Sequence, residues 1–110
     1  IPLVLVGGAV AAPMEIDVPA SQIDIAATLL YQLGIDHSEF IFSKNMLNPA
    51  SPHFGYFTEP SFFGMVTDTN QLVYNLDGEK VMLDEGSKKG RNLLPGKAFL
   101  QKLYDDLDKR

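Results

Sequence analysis

No cysteine occurs in the 110 residues. That excludes a disulfide framework, a thiol nucleophile and a cysteine metal site, and it leaves the redox compartment undetermined. Positive charge is also scarce: 9 Lys and Arg stand against 14 Asp and Glu, for a net charge of −5. Nucleic-acid binding, which draws on clustered Lys and Arg, is therefore not expected. No apolar run approaches the roughly 18 residues that mark a transmembrane helix. Histidine is limited to His37 and His53, and a lone histidine is a poor ligand set for a metal. There is no internal repeat and no low-complexity segment.

What is present is enough for one core. Apolar residues make up 45% of the chain, and a chain of this length is one domain at most. It opens on Ile1-Pro2-Leu3-Val4-Leu5-Val6, an almost wholly apolar run of the kind found in strands covered on both faces. Residues 1–7 are accordingly expected to be a core strand, ended by Gly7-Gly8. A buried strand at the first position leads to the expectation of a C-terminal piece of a larger protein. The alternative is a small complete domain with this strand at its edge.

The next clear element is a helix. Ser21-Gln22-Ile23-Asp24 is a helix-start pattern, with Ser21 as N-cap and Asp24 near the positive helix end. Ile23, Ala26, Ala27, Leu30 and Leu33 recur at three- and four-residue spacing and form its expected apolar face. Gly34 is placed to end it in a left-handed C′ residue, with Ile35 packing back on Leu30. The intervening loop, residues 9–20, holds a possible extended piece at 15–18. After the helix, Asp36-His37-Ser38-Glu39 reads as surface and Phe40-Ile41-Phe42 as an apolar plug.

Residues 53–84 read as an antiparallel meander. Its runs are 53–59, 61–68, 71–76 and 79–84, rich in aromatic and β-branched residues. Asp68-Thr69-Asn70 supplies turn chemistry, and Asp77-Gly78 is a strong hairpin signal. A polar loop follows. Pro95 then suits the first turn of a terminal helix, 95–110. Its stripe is Phe99, Leu100, Leu103, Tyr104 and Leu107, and its cations come last.

The run Ser21-Gln22-Ile23-Asp24-Ile25-Ala26-Ala27-Thr28-Leu29-Leu30-Tyr31-Gln32-Leu33-Gly34-Ile35 resembles a late helix of sulfatases in the alkaline phosphatase superfamily. The likeness is to "S-Q-x-D-h-x-P-T-h-h-x-h-h-G-I", nearest to the membrane-anchored branch with lipoteichoic acid synthase and other phosphoglycerol transferases. Ala27 stands where that pattern has proline, a change that favours helix. Residues 1–7 resemble the strand that precedes this helix, and Ser43-Lys44-Asn45-Met46-Leu47 a loop that docks on the sheet. The fold this implies is α/β: the C-terminal part of an alkaline-phosphatase-like fold. Residues 1–47 would be core strand and helix, 53–84 the meander and 95–110 the terminal helix.

The same resemblance implies a parent that cleaves or transfers sulfate or phosphate esters with a divalent metal (Mn, Mg, Ca or Zn). It implies a bacterial cell membrane location with an extracytoplasmic catalytic domain. Its nucleophile and metal ligands lie upstream of the matched residues, so no catalytic, cofactor or metal residue carries over to this chain. The implied partner is the remainder of the parent catalytic domain, and the isolated chain is expected to self-associate. The alternatives are a phosphoglycerol transferase of cell-envelope polymer synthesis and a free-standing, non-enzymatic binding module.

Each polar residue that stands out has a plain structural reading. His37 reads as a solvated loop residue and His53 as a strand-edge residue. Asp24 and Thr28 share a helix face one turn apart; a polar site is conceivable, but capping and a local side-chain bond explain them better. Asp105, Asp106 and Asp108 read as a solvated helix face rather than a hard-cation site. Phe54, Tyr56, Phe57, Phe62 and Phe63 could line a ligand groove; packing of a small sheet is the default.

Overall fold

A computed structural model describes residues 2–110, and Ile1 lies outside the described residues. The order of elements is α1 (Asp24–Gln32), β1 (Gly55–Glu59), β2 (Phe62–Val66), β3 (Gln71–Asn75), β4 (Lys80–Glu85) and α2 (Leu93–Asp108). The fold is thus of mixed α and β class, with a four-stranded antiparallel sheet in the order β1-β2-β3-β4. The chain divides into two compact units. One comprises Ile1–Val18 with Gln22–Pro52; the other comprises Pro19–Ser21 with His53–Arg110.

The second unit is the meander with its helix. Tyr56 faces Met65, Phe63 faces Tyr74, and Met65 faces Leu72 across successive strands. Because side chains alternate along a strand, these residues share one face of the sheet. Phe63, Leu72 and Tyr74 on that face are buried together with Leu100 of α2. Leu100 lies on the expected stripe, and Phe99 and Leu103 are half-buried, but Tyr104 and Leu107 are exposed. Gly96 is buried where α2 passes over Phe63. On the opposite face the Phe57 ring lies over Gly64, where a Cβ would collide with it.

Two details of the meander follow from local chemistry. The β3–β4 turn holds Asp77 and Gly78, with the Gly78 N–H donating to the Asn75 side chain. The residue in the left-handed region is Glu79, at φ 49°, and not Gly78. The register also slips between Val73 and Tyr74, where β4 bulges. At the free edge of β1, the Ser21 hydroxyl accepts from the Tyr56 N–H at 2.6 Å and donates to the Tyr56 carbonyl at 3.2 Å. It satisfies a strand edge that would otherwise be open.

The helix also starts later than expected: the N-cap of α1 is Ile23 rather than Ser21, and Ile23 makes no side-chain cap bond. The left-handed ending at Gly34 is as expected, while the Ile35 side chain is exposed. Gly34 has φ +70°. Its N–H donates to the Tyr31 carbonyl, and the Ile35 N–H donates to the Leu30 carbonyl. These are the two bonds of a Schellman ending.

Four further expectations are corrected. Residues 2–7 form no strand, and Val4 and Val6 are exposed. A strand needs backbone partners; the bond that the Gly7 carbonyl accepts is a local turn, from the Val10 N–H. The extended piece at 15–18 also forms no strand. The buried face of α1 is Asp24, Ala27 and Thr28, while Ile23 and Leu33 are exposed. The helix is inserted by its polar pair, because that pair is satisfied by hydrogen bonds. Finally, Phe40 and Ile41 are exposed rather than plugging a core, and only Phe42 is half-buried.

Candidate functional site

A buried polar cluster of the first unit lies on α1. The Asp24 carboxylate is fully buried. It accepts from the Lys44 backbone N–H at 2.9 Å and from Lys44 Nζ at 2.8 and 3.0 Å. One turn on, Thr28 Oγ1 donates to the Asp24 carbonyl at 2.7 Å and accepts from the Met46 N–H at 3.0 Å. Ser43 Oγ accepts from the Ala27 N–H. The local side-chain bond expected of Thr28 is therefore present. What the sequence did not reveal is Lys44. Its partner lies 20 residues away, and nothing in the spacing joins them. Ser43, Lys44 and Met46 all bond to α1.

The second unit has a matching cluster. Asn70 is buried; its side chain donates to the Asp84 carboxylate and to the Glu85 carbonyl, both at 2.8 Å. Its amide oxygen accepts from the Asn92 N–H. Asn92 is buried too, and its side chain donates to the carbonyls of Met65 and Asn70. Asp84 also accepts from the Gly90 N–H. That bond, with the one from Asn70, holds the Asp84 carboxyl below its ordinary value of 3.8. Sequence reasoning read Asn70 as a turn residue and passed over Asn92. A buried asparagine pair has no signature until the fold brings it together.

His37 belongs to the first unit and His53 to the second. His37 is half-buried, with its ring 6.4 Å from that of Tyr31, edge on. The neighbouring Asp36 carboxyl is held below its ordinary value, chiefly by the Ser38 hydroxyl. His53 is half-buried just before β1.

Two of the three acidic residues of α2 are engaged locally. Asp105 accepts from the Gln101 side chain, and Asp106 pairs with Arg110 at 2.7 Å. Asp24 is occupied by Lys44. Among the described residues, no group of three or more His, Asp or Glu is placed to hold a metal ion.

The aromatic residues pack on one another. Phe54 meets Phe99 edge on at 5.5 Å, Tyr56 stacks with Phe63 at 5.7 Å, and Phe63 meets Tyr74 at 5.6 Å. The Tyr56 hydroxyl donates to the Gly96 carbonyl. Burial, with a smaller effect from Tyr104, raises its pKa well above the ordinary value. It is therefore a fixed donor, not an acid. Only Phe57 of the five candidate aromatics is exposed. Among the described residues every buried side-chain nitrogen and oxygen has a partner. Both clusters are thus suited to fixing loops onto helices rather than to moving protons.

No family model matches the chain, and neither a curated protein nor a solved structure matches it.

Proposed function

We propose that this chain is the non-catalytic, C-terminal structural portion of a metal-dependent, sulfatase-like hydrolase or transferase. The parent acts on sulfate or phosphate esters through an alkaline-phosphatase-like fold. The observation that carries this reading is the use made of the helix that bears the resemblance. Its two polar motif residues, Asp24 and Thr28, are both buried and both hold the segment around Lys44. Such a helix organises a fold and leaves the chemistry to other residues. In the parent, a divalent metal would neutralise charge on the transferred group. Residues outside this chain would supply its ligands and the nucleophile. Transfer of phosphoglycerol is the alternative reaction of the same class. A free-standing binding module is less well supported, because most of the meander aromatics are consumed in the core.

Two measurements test the proposal. The purified chain should turn over neither aryl sulfates nor aryl phosphates with Mn, Mg, Ca or Zn added. Metal-dependent turnover that is lost in His37→Ala or His53→Ala would show that this chain is itself catalytic. The reading frame upstream of Ile1 should encode a nucleophile and metal-ligand motif. A frame without one removes the enzymatic reading.

A further inference from the structure

The geometry points to a binding site for a single neutral sugar ring in the groove between α2 and the β3–β4 turn. This inference does not rest on the enzymatic reading. The groove has a volume of about 240 Å³. That is below the roughly 300–1,000 Å³ of pockets for drug-sized ligands, so it admits one small ring. Its floor is Tyr74 and Leu100, both 7% exposed. Lys97, Gln101 and Tyr104 line one wall from successive turns of α2. Glu79 stands on the other.

The charges of the lining choose the ligand. Lys97 Nζ lies 4.5 Å above the Tyr74 ring. Neither Lys97 nor Glu79 has an ion-pair partner among the described residues. An anion in this groove meets the Glu79 carboxylate, and a cation meets Lys97. A neutral ring of hydroxyls avoids both penalties, because each hydroxyl donates and accepts. Lys97 and the Tyr104 hydroxyl can donate to it. Glu79 and the Gln101 carbonyl can accept, since the Gln101 amide nitrogen is already bonded to Asp105. The Tyr104 side chain, 50% exposed, offers apolar area beside these groups. Glu79 is also the one described non-glycine residue with positive φ. That conformation belongs to the β3–β4 turn, and the turn sets Glu79 in the lining of the groove.

The test is an amide NMR titration of the 110-residue chain with the methyl glycosides of glucose, galactose and N-acetylglucosamine. Sodium benzoate and choline serve as charged comparisons. Expected are saturable, millimolar shifts at Glu79, Lys97, Gln101 and Tyr104 with at least one glycoside. Tyr104→Ala should weaken binding about tenfold, the scale of one lost aromatic contact. Glu79→Gly should also weaken it while leaving Tm undiminished, because glycine accepts the left-handed conformation. No saturable shift with any glycoside overturns the proposal. Equal affinity in Tyr104→Ala overturns it as well, and so does tighter binding of benzoate or choline than of every sugar.

Discussion

Asp24 shows how one residue can fix a segment far from it in sequence. Its carboxylate is fully buried, and the Lys44 side chain that meets it is 15% exposed. Removing one partner of such a pair leaves the other charge uncompensated, at about 3–5 kcal/mol when burial is complete. Asp24→Ala should therefore lose about 3 kcal/mol, the low end, because Lys44 keeps some water. Thr28→Val should lose about 2 kcal/mol by leaving the Met46 N–H unpaired. Urea unfolding of both variants checks this, and wild-type midpoints would mean that the cluster contributes nothing. Asp84 adds a pH dependence. Its folded pKa lies below the ordinary 3.8, so the unfolded chain binds its proton more readily. The stabilisation is complete above about pH 4 and falls as pH drops through the folded value. Asp84→Asn should lower Tm at pH 7, and the difference from wild type should shrink below pH 4. A difference that stays constant down to pH 2 would place the effect elsewhere.

At the level of elements, glycines sit where the backbone or a neighbour demands them. Nothing lies within 4 Å of a Cβ built on Gly34, so Gly34→Val should cost only the left-handed penalty, about 1–2 kcal/mol. Gly96→Ala is the opposite case. Helix propensity favours alanine by about 1 kcal/mol. But its Cβ would stand 2.5 Å from the Phe63 ring, which is itself fully buried. Overpacking costs about 1–3 kcal/mol, so the variant should melt below wild type; a rise in Tm would show that α2 shifts freely. The same elements explain what could be read in advance. The meander was legible because alternating aromatics and turn residues are local signals, and Gly34 announced the helix end. The buried face of α1 was legible only in part. Apolar spacing selected Ala27, which is fully buried, but also Ile23 and Leu33, which are exposed; Asp24 and Thr28 are buried through partners at residues 44 and 46. The opening apolar run misled for a related reason: hydrophobicity states that a segment is coverable, not which strand covers it. The asparagine cluster and the groove under Tyr104 depend on tertiary placement and leave no pattern in the sequence.

At the scale of the whole molecule, exposed apolar side chains compete with net charge. Val4, Val6, Leu33, Ile35, Phe40 and Ile41 of the first unit are each more than half exposed, as is Met82 of the second. Soluble monomers rarely present large contiguous apolar patches. The net charge of −5 opposes association, but repulsion between surface charges is screened beyond about 8 Å at physiological salt. Burial of apolar surface, at roughly 25 cal/mol per Å², acts at contact and is not screened. The chain alone should therefore self-associate at micromolar concentration. Residues 2–7 are not a strand, so the drive is burial of side chains rather than pairing of strand edges. Val4→Ser combined with Val6→Ser should then lower the apparent mass by light scattering without lowering Tm, since these side chains are 80% and 91% exposed. Added salt should raise the mass of the unmodified chain by weakening the repulsion. A monomer mass at every salt concentration would show that these side chains are tolerated in water. In that event, coverage by the rest of a parent enzyme loses one of its physical arguments.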